Sequence, residues 1–297
     1  MDMLTATLIG LGQIGMGFEF DEKRGKPASH LGALRRLKDK ISLECIVDFD
    51  EEKLKKAEQF YGAIPVHLAS ADDFIHSSVD TDIIIVATPQ APHYGILCDT
   101  QKQKHPKLVF CEKPLTLRSS SADRIVSLYE EKGVSLCVNH TRRWEDSWVK
   151  AVGIAKSRTY GAVKFFHGEY SGDPWRVGVH MADLVNWFGA PDYNVERIEV
   201  PYLVFNAVIW MEEAAIAVGF NGATVSLMGA DTSNRYSNVK ELRNILYEKD
   251  FSREFGAETP ILKAYENIVA HLEKGETLAC TGEEGASAVK LVEEWMK

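Results

Sequence analysis

The glycine run Gly10-Leu11-Gly12-Gln13-Ile14-Gly15 lies directly behind the apolar stretch Thr5 to Ile9, and it limits the folds open to this chain more than any other feature. Such spacing suits a turn from a strand into a helix. The first glycine permits the tight turn, the second lets backbone approach a pyrophosphate, and the third allows close packing at a helix N-terminus. The sequence that follows has a matching rhythm. Leu43 to Val47, Ile64 to Val66, Ile83 to Ala87, Leu108 to Cys111 and Val134 to Val138 are predicted strands. Helical stretches at Glu51 to Tyr61, 71 to 77, 91 to 104 and 119 to 132 separate them. In the first of these, Leu54, Ala57 and Phe60/Tyr61 recur at helical spacing, Glu51/Lys55 and Glu52/Lys56 pair one turn apart, and Gly62 ends the helix. Alternation of this kind predicts a parallel sheet with helices on both faces. One segment interrupts it: Phe18 to Ala28 is charged and contains glycine and proline where the first helix should begin, and reads as an inserted loop.

The rhythm changes after Asn139. A helix near 146 to 158, an alternating strand Ala162 to Tyr170 and a helix Val179 to Phe188 closed by Gly189 precede four strand candidates between Val195 and Met228. Turn residues Pro201, Glu212-Glu213 and Asn221-Gly222 space those strands closely, which predicts an antiparallel or mixed sheet. Helices at Ile261 to Glu273 and Glu284 to Met296 follow. The expected architecture is α/β: a Rossmann doubly wound parallel sheet in residues 1–138, then an α+β domain in residues 139–297 with a large, mostly antiparallel open sheet, the last helix packing back on the first domain.

Composition narrows the function. At 297 residues, with 45% hydrophobic and 26% charged side chains, the chain is an ordinary globular protein of two-domain size. Its 34 basic residues against 43 acidic ones leave a net charge of −9, which argues against binding of nucleic-acid backbone. No apolar run approaches the roughly 20 residues of a membrane span. The start Met1-Asp2-Met3-Leu4 lacks the basic region of a secretory signal, so a cytoplasmic location is expected. Five cysteines without Cys-x-x-Cys spacing are expected to be buried free thiols, and nine scattered histidines give no metal cluster, so no metal is expected.

Asp48 ends the second strand, where a carboxylate can accept from both ribose hydroxyls of a dinucleotide and would repel a 2′-phosphate, favouring NAD over NADP. Its distance from the glycines exceeds the usual spacing by the length of the inserted loop. The alternative role is a helix N-cap, with Asp50 then the substitute. Thr88, Pro89 and His93 follow the fourth strand and Glu112-Lys113-Pro114 the fifth, at the sheet end where such folds bind ligands. Gly10, Gly12, Gln13, Ile14, Gly15, Asp48, Thr88, Pro89, His93 and Glu112 therefore form the expected cofactor set. Lys113 can polarise a carbonyl or lower the pKa of a substrate hydroxyl.

These motifs, with Gly178-Val179-His180-Met181-Ala182-Asp183, stand in the order of the Gfo/Idh/MocA oxidoreductases, and the chain resembles that family, which includes glucose-fructose oxidoreductase and inositol dehydrogenases. The resemblance implies an active site between the two domains, Lys113 as catalytic lysine with a cis bond to Pro114, and His180 as general acid/base. It also implies a homodimer or homotetramer formed through the second sheet. Asp183 would orient His180 or bind a substrate hydroxyl. Family dehydrogenases commonly read Asp-x-Gly-x-His, whereas here Arg176 stands at the aspartate position. A fixed cation there suits an anionic substrate: a uronate, sugar phosphate or nucleotide sugar. The segment Asn139-His140-Thr141-Arg142-Arg143-Trp144 resembles that of the subset tied to surface polysaccharides and sugar nucleotides. By that likeness Arg142 or Arg143 adds a second cation, Arg143 being assigned to substrate together with Tyr170, Trp175, Arg176 and Asp183, the two aromatics stacking on a sugar face. The resulting expectation is an NAD-dependent sugar or polyol oxidoreductase. The alternatives are an NAD-dependent glycosidase of the same family and a dinucleotide-sensing regulator.

Overall fold

The computed structural model describes residues 3–249 and 258–297. Six strands, β1 (Leu4–Ile9), β2 (Ile41–Val47), β3 (Val66–Leu68), β4 (Ile83–Val86), β5 (Leu108–Cys111) and β6 (Ser135–Val138), form a parallel sheet in the order β3-β2-β1-β4-β5-β6. This is the doubly wound Rossmann order, whose reversal between β1 and β4 opens a crevice at the carboxyl ends of the strands. The strand predicted at Ile64 to Val66 falls at Val66–Leu68, because only there does it pair with Cys45 to Val47 of β2. Helices α1 (His30–Arg36), α2 (Glu51–Tyr61), α3 (Ala71–His76), α4 (His93–Gln103) and α5 (Ser119–Lys132) complete the alternation.

The inserted loop has a simple geometry. The turn at residues 12–16 begins a helix, since the Met16 amide donates to Gly12 O. The chain then leaves through a short 3-10 turn (Gly17–Phe20) and returns at α1, where the amides of His30 and Leu31 donate to the carbonyls of Ile14 and Gly15. In helical register His30 stands where residue 18 would, so twelve residues are inserted into a single helix. Without them Asp48 lies 21 residues beyond Gly15, near the usual spacing of about 20. No uninterrupted helix therefore starts at the glycine turn, which corrects the simple strand-turn-helix expectation. Glu19 closes the loop by accepting from the Ala28 amide and Ser29 Oγ, each at 2.9 Å.

The second sheet runs β12-β11-β10-β9-β7-β8, built from β7 (Val163–Ser171), β8 (Tyr193–Ile198), β9 (Phe205–Met211), β10 (Ala214–Gly219), β11 (Thr224–Thr232) and β12 (Lys240–Lys249). Only the β7–β8 pair is parallel. β12, absent from the sequence expectation, is a highly charged strand on the sheet edge, without the apolar alternation that marks a half-buried strand. Helices α6 (Asp146–Lys156) and α7 (Val179–Phe188) lie against this sheet. The closing helices return to the first domain. α8 (Pro260–Lys274) buries Ile261, Leu262, Tyr265 and Ile268 in the core of the first sheet. α9 (Gly282–Trp295) bridges both cores, with Val289 in one and Ala288, Leu291 and Val292 in the other. The five cysteines are free thiols, all buried except the half-buried Cys98. Among the described residues no helix is long and apolar enough to cross a membrane, and no group of potential metal ligands occurs.

Candidate active site

The crevice at the ends of β1, β4 and β5 continues into the junction with the second domain as one cleft of about 1030 Å³. Gly12, Gln13 and Ile14 line one side, Thr88, Pro89, Glu112, Lys113 and Pro114 the floor, and Arg142, Trp175 and Arg176 the far side. This volume reaches the upper end of the roughly 300–1,000 Å³ usual for ligand sites.

The glycine turn is shaped by close backbone contacts. A Cβ on Gly10, which has φ +99°, would lie 2.7 Å from Ala87 O, whereas one on Gly12 would meet nothing within 4 Å. Gly10 thus sets the turn against the β4 loop, and Gly12 leaves its surface open toward the cleft. On Gly15 the same atom would strike Gly10 O, so that residue packs the turn upon itself. Asp48 is buried; its Oδ2 accepts from the Leu11 amide at 2.8 Å, its Oδ1 from the Asp50 amide at 3.1 Å, and Lys53 Nζ lies 3.6 Å away. The N-cap of α2 is Asp50, not Asp48.

Two expected cofactor residues instead work beneath the surface. His93 is fully buried, with Nδ1 2.9 Å from Pro114 O and Nε2 3.1 Å from Thr88 O, so it ties the two cleft loops together rather than facing a ligand. Glu112 borders the cleft, but its Oε1 is bound by His30 Nε2 at 3.0 Å and Asn139 Nδ2 at 2.5 Å. His30 Nδ1 in turn meets Tyr265 Oη at 2.9 Å. Burial pushes the Glu112 carboxyl up, but the His30 hydrogen bond and charge, Lys113 and Asn139 outweigh this and hold it below the ordinary glutamate range.

Lys113 follows on the same loop, joined to Pro114 by a cis peptide bond. Its Nζ donates to Arg176 O at 2.7 Å, across the domain junction. Burial lowers its pKa, Glu112 partly restores it, and Arg142 and Arg176 lower it further. His180, on α7, is buried, and its ring stands edge-on to His140 with centroids 5.6 Å apart. Burial, reinforced by Arg142, Lys113 and His140, pushes the His180 pKa well below 6.5. The imidazole is therefore neutral at pH 7.

Three expected substrate residues do not face the cleft. Arg143 and Asp183, 3% and 1% exposed, form a buried ion pair: Nε lies 3.0 and 3.1 Å from the two carboxylate oxygens and Nη2 2.8 Å from Oδ1. Arg143 Nη1 also donates to Ala279 O and to Glu284, so its donors are committed to protein. The neighbouring Arg142 lines the cleft instead; its Nη2 donates to Asn221 Oδ1 at 2.9 Å and its guanidinium lies 3.7 Å from the Phe205 ring centroid. Tyr170 is buried in the second core against Gly178 and has no face open to a sugar. Trp175 stays half-buried at the cleft, packed against both cores, and Arg176 is exposed there.

The residues fit a dinucleotide. Thr88 Oγ1 is buried at the cleft without a hydrogen-bond partner among the described residues, and Gly12 presents open backbone to the same cleft. Sheet order, glycine turn and terminal carboxylate together define a dinucleotide-binding domain. Residues 7–140 match the model of the oxidoreductase family with an NAD-binding Rossmann fold, GFO_IDH_MocA. Inositol 2-dehydrogenase of Salmonella paratyphi B is 20% identical over 210 residues, covering 67% of this chain and 58% of the relative, so the chain matches less than two thirds of that protein's length. The scyllo-inositol 2-dehydrogenase (NADP(+)) of Bacillus subtilis is 21% identical over 277 residues, covering 73% and 76%. The fold matches that of the WlbA dehydrogenase from Bordetella pertussis, solved with NADH and UDP-GlcNAcA, with a TM-score of 0.71 at 19% identity over 98% of this chain and 94% of that one.

Proposed function

We propose that this protein is an NAD-dependent oxidoreductase that interconverts a secondary alcohol and a ketone of a sugar, polyol or sugar derivative, with an acidic or nucleotide-linked substrate favoured. The observation that carries this reading is Lys113: a lysine with a lowered pKa, on the loop between the glycine turn and the second domain, in a cleft lined by Arg142 and Arg176. When bound, NAD supplies the hydride acceptor at nicotinamide C4. Gly12, Gln13, Ile14, Thr88 and Pro89 would hold it, and Asp48 would accept from its ribose hydroxyls. Lys113 binds the substrate oxygen and stabilises its anionic form as hydride leaves the carbon. The alcohol proton passes to a neutral base; the buried His180 imidazole, unprotonated at pH 7, is the candidate, and its depressed pKa makes it a weak acceptor. The Arg176 side chain, exposed at the cleft, supplies the charge for an anionic substituent. An uncovered face of the second sheet, with exposed Trp210 and half-buried Val208 and Met228, supports assembly through that sheet.

Parallel titrations with NADH and NADPH, read as energy transfer from tryptophan, test the cofactor. NADH is expected to bind the more tightly, because Asp48 repels a 2′-phosphate. Turnover of acidic and nucleotide-linked sugars is then compared between the native chain and Lys113→Ala. Loss of turnover with NADH binding retained supports the reading; binding of neither dinucleotide overturns it.

A further inference from the structure

The twelve-residue insertion brings two cations into the cleft. Lys23 and Arg24 line it together with Gly25, Pro27 and Ala28, on the side of Gly12 and Gln13. The loop that carries them is built rather than loose. Lys26 Nζ donates to the carbonyls of Phe18 and Asp21, each at 2.7 Å. Thr259 Oγ1, at the start of α8, donates to Pro27 O at 2.6 Å, and Phe20 packs edge-on against Phe60 of α2 at 5.5 Å. Arg24 is held from two directions: its guanidinium lies 3.7 Å from the Phe18 ring centroid, and its Nε donates to Asp21 Oδ2 at 3.1 Å. The Nη groups of Arg24 and the Nζ of Lys23 have no hydrogen-bond partner among the described residues. Asp21 and Lys26 thus spend their charges within the loop, and Lys23 and Arg24 keep donors available at the cleft wall.

We infer that the insertion is a diphosphate clamp: Lys23 and Arg24 are ligands for a diphosphate lying across the mouth of the cleft. The chemistry fits in three respects. An arginine with Nε fixed and Nη groups open offers a preoriented pair of donors to phosphate oxygens, while the adjacent ammonium adds a mobile point charge. Both line the same cleft as the open backbone of Gly12, the surface to which a pyrophosphate can come close. Finally, cations concentrated at one cleft of a chain with net charge −9 raise the local concentration of a polyanion against the overall field. Two molecules could present this group, the dinucleotide or a nucleotide-linked substrate. The inference rests on the proposed dinucleotide site for its first source only.

The test compares the native chain with Lys23→Ala/Arg24→Ala and with a chain in which Gly17 is joined directly to His30, which restores the uninterrupted helix. Affinities are measured for NADH, for UDP, and for reduced nicotinamide riboside, which lacks phosphate, at low and moderate salt. Removing both cations is expected to weaken at least one diphosphate ligand by about tenfold or more, the scale of a charge-assisted hydrogen bond, and to flatten its salt dependence. Weakened NADH binding assigns the clamp to the cofactor, and weakened UDP binding with NADH unchanged assigns it to substrate. The riboside should bind equally to all three chains. If NADH and UDP bind both variants as they bind the native chain, the clamp is refuted while the oxidoreductase reading stands. If the native chain binds neither NADH nor NADPH, the oxidoreductase reading fails, and the UDP titration alone then decides the clamp.

Discussion

Replacing Arg143 by Met tests the reassignment of the Arg143–Asp183 pair from substrate binding to structure. The substitution keeps most of the side-chain volume and removes the partner that satisfies both oxygens of a carboxylate 1% exposed. The nearest remaining cation source is His140, with Nδ1 3.9 Å from Asp183 Oδ2; burial is the main cause that lowers its pKa, to about 4 in the native chain, and loss of the Arg143 charge relieves only part of that lowering. An uncompensated buried charge costs about 3–5 kcal/mol. For a domain of 150–250 residues this corresponds to a fall in melting temperature of about 10 °C. The double variant Arg143→Met/Asp183→Leu removes both charges and should recover most of the loss, since an apolar replacement for a buried ion pair is often neutral or stabilising. Glu284 tolerates either change, being partly exposed and hydrogen-bonded to Thr281 in the cap of α9. Thermal unfolding at pH 7 measures the shift, and NADH binding below the transition checks that the cleft survives. If Arg143→Met melts with the native chain and instead raises substrate KM, the pair belongs to the binding site and the structural argument is wrong.

Acid should destabilise the protein through His140. The unfolded chain takes up a proton below about pH 6.5 that the folded imidazole refuses until about pH 4, so stability falls by about 3 kcal/mol as pH drops through that window and is flat above it. His140→Phe should make the acid limb of a melting-temperature profile shallower; an unchanged slope counts against this origin. Gly10→Ala should lower stability by several kcal/mol, because its Cβ meets backbone at 2.7 Å in a positive-φ conformation, whereas Gly12→Ala should melt within about 0.5 kcal/mol of native and lose NADH affinity. Equal melting temperatures for the two variants would contradict the geometry. Arg176→Ala should raise KM about tenfold or more for anionic substrates and little for neutral ones, while leaving NADH binding intact; equal effects on both would remove its charge-pairing role.

The local rules of the chain were readable from its residues. The glycine run, the alternation of apolar stretches with helical periodicity, and stops such as Gly62 and Gly189 fixed the doubly wound sheet and both helices Glu51–Tyr61 and Val179–Phe188, because these depend on contacts within a few residues. The polar segment at Phe18 to Ala28 announced an insertion, and the register of its return to Ile14 and Gly15 gave its length. β12 was not readable, since an edge strand rich in charge carries no period-2 apolar signal and exists through pairing with β11. Residue type, place along the chain and family resemblance put Arg143, Asp183, Tyr170 and His93 at a ligand. Whether a charged or aromatic side chain faces a cleft or a partner depends on what packs opposite it, and those partners lie far away in the chain: Asp183 is 40 residues from Arg143, and Pro114 is 21 from His93. Sequence therefore determined the fold of the dinucleotide domain and the chemistry available to it. Only tertiary packing decided which cations are spent in the interior and which, Lys113, Arg142 and Arg176 among them, line the cleft.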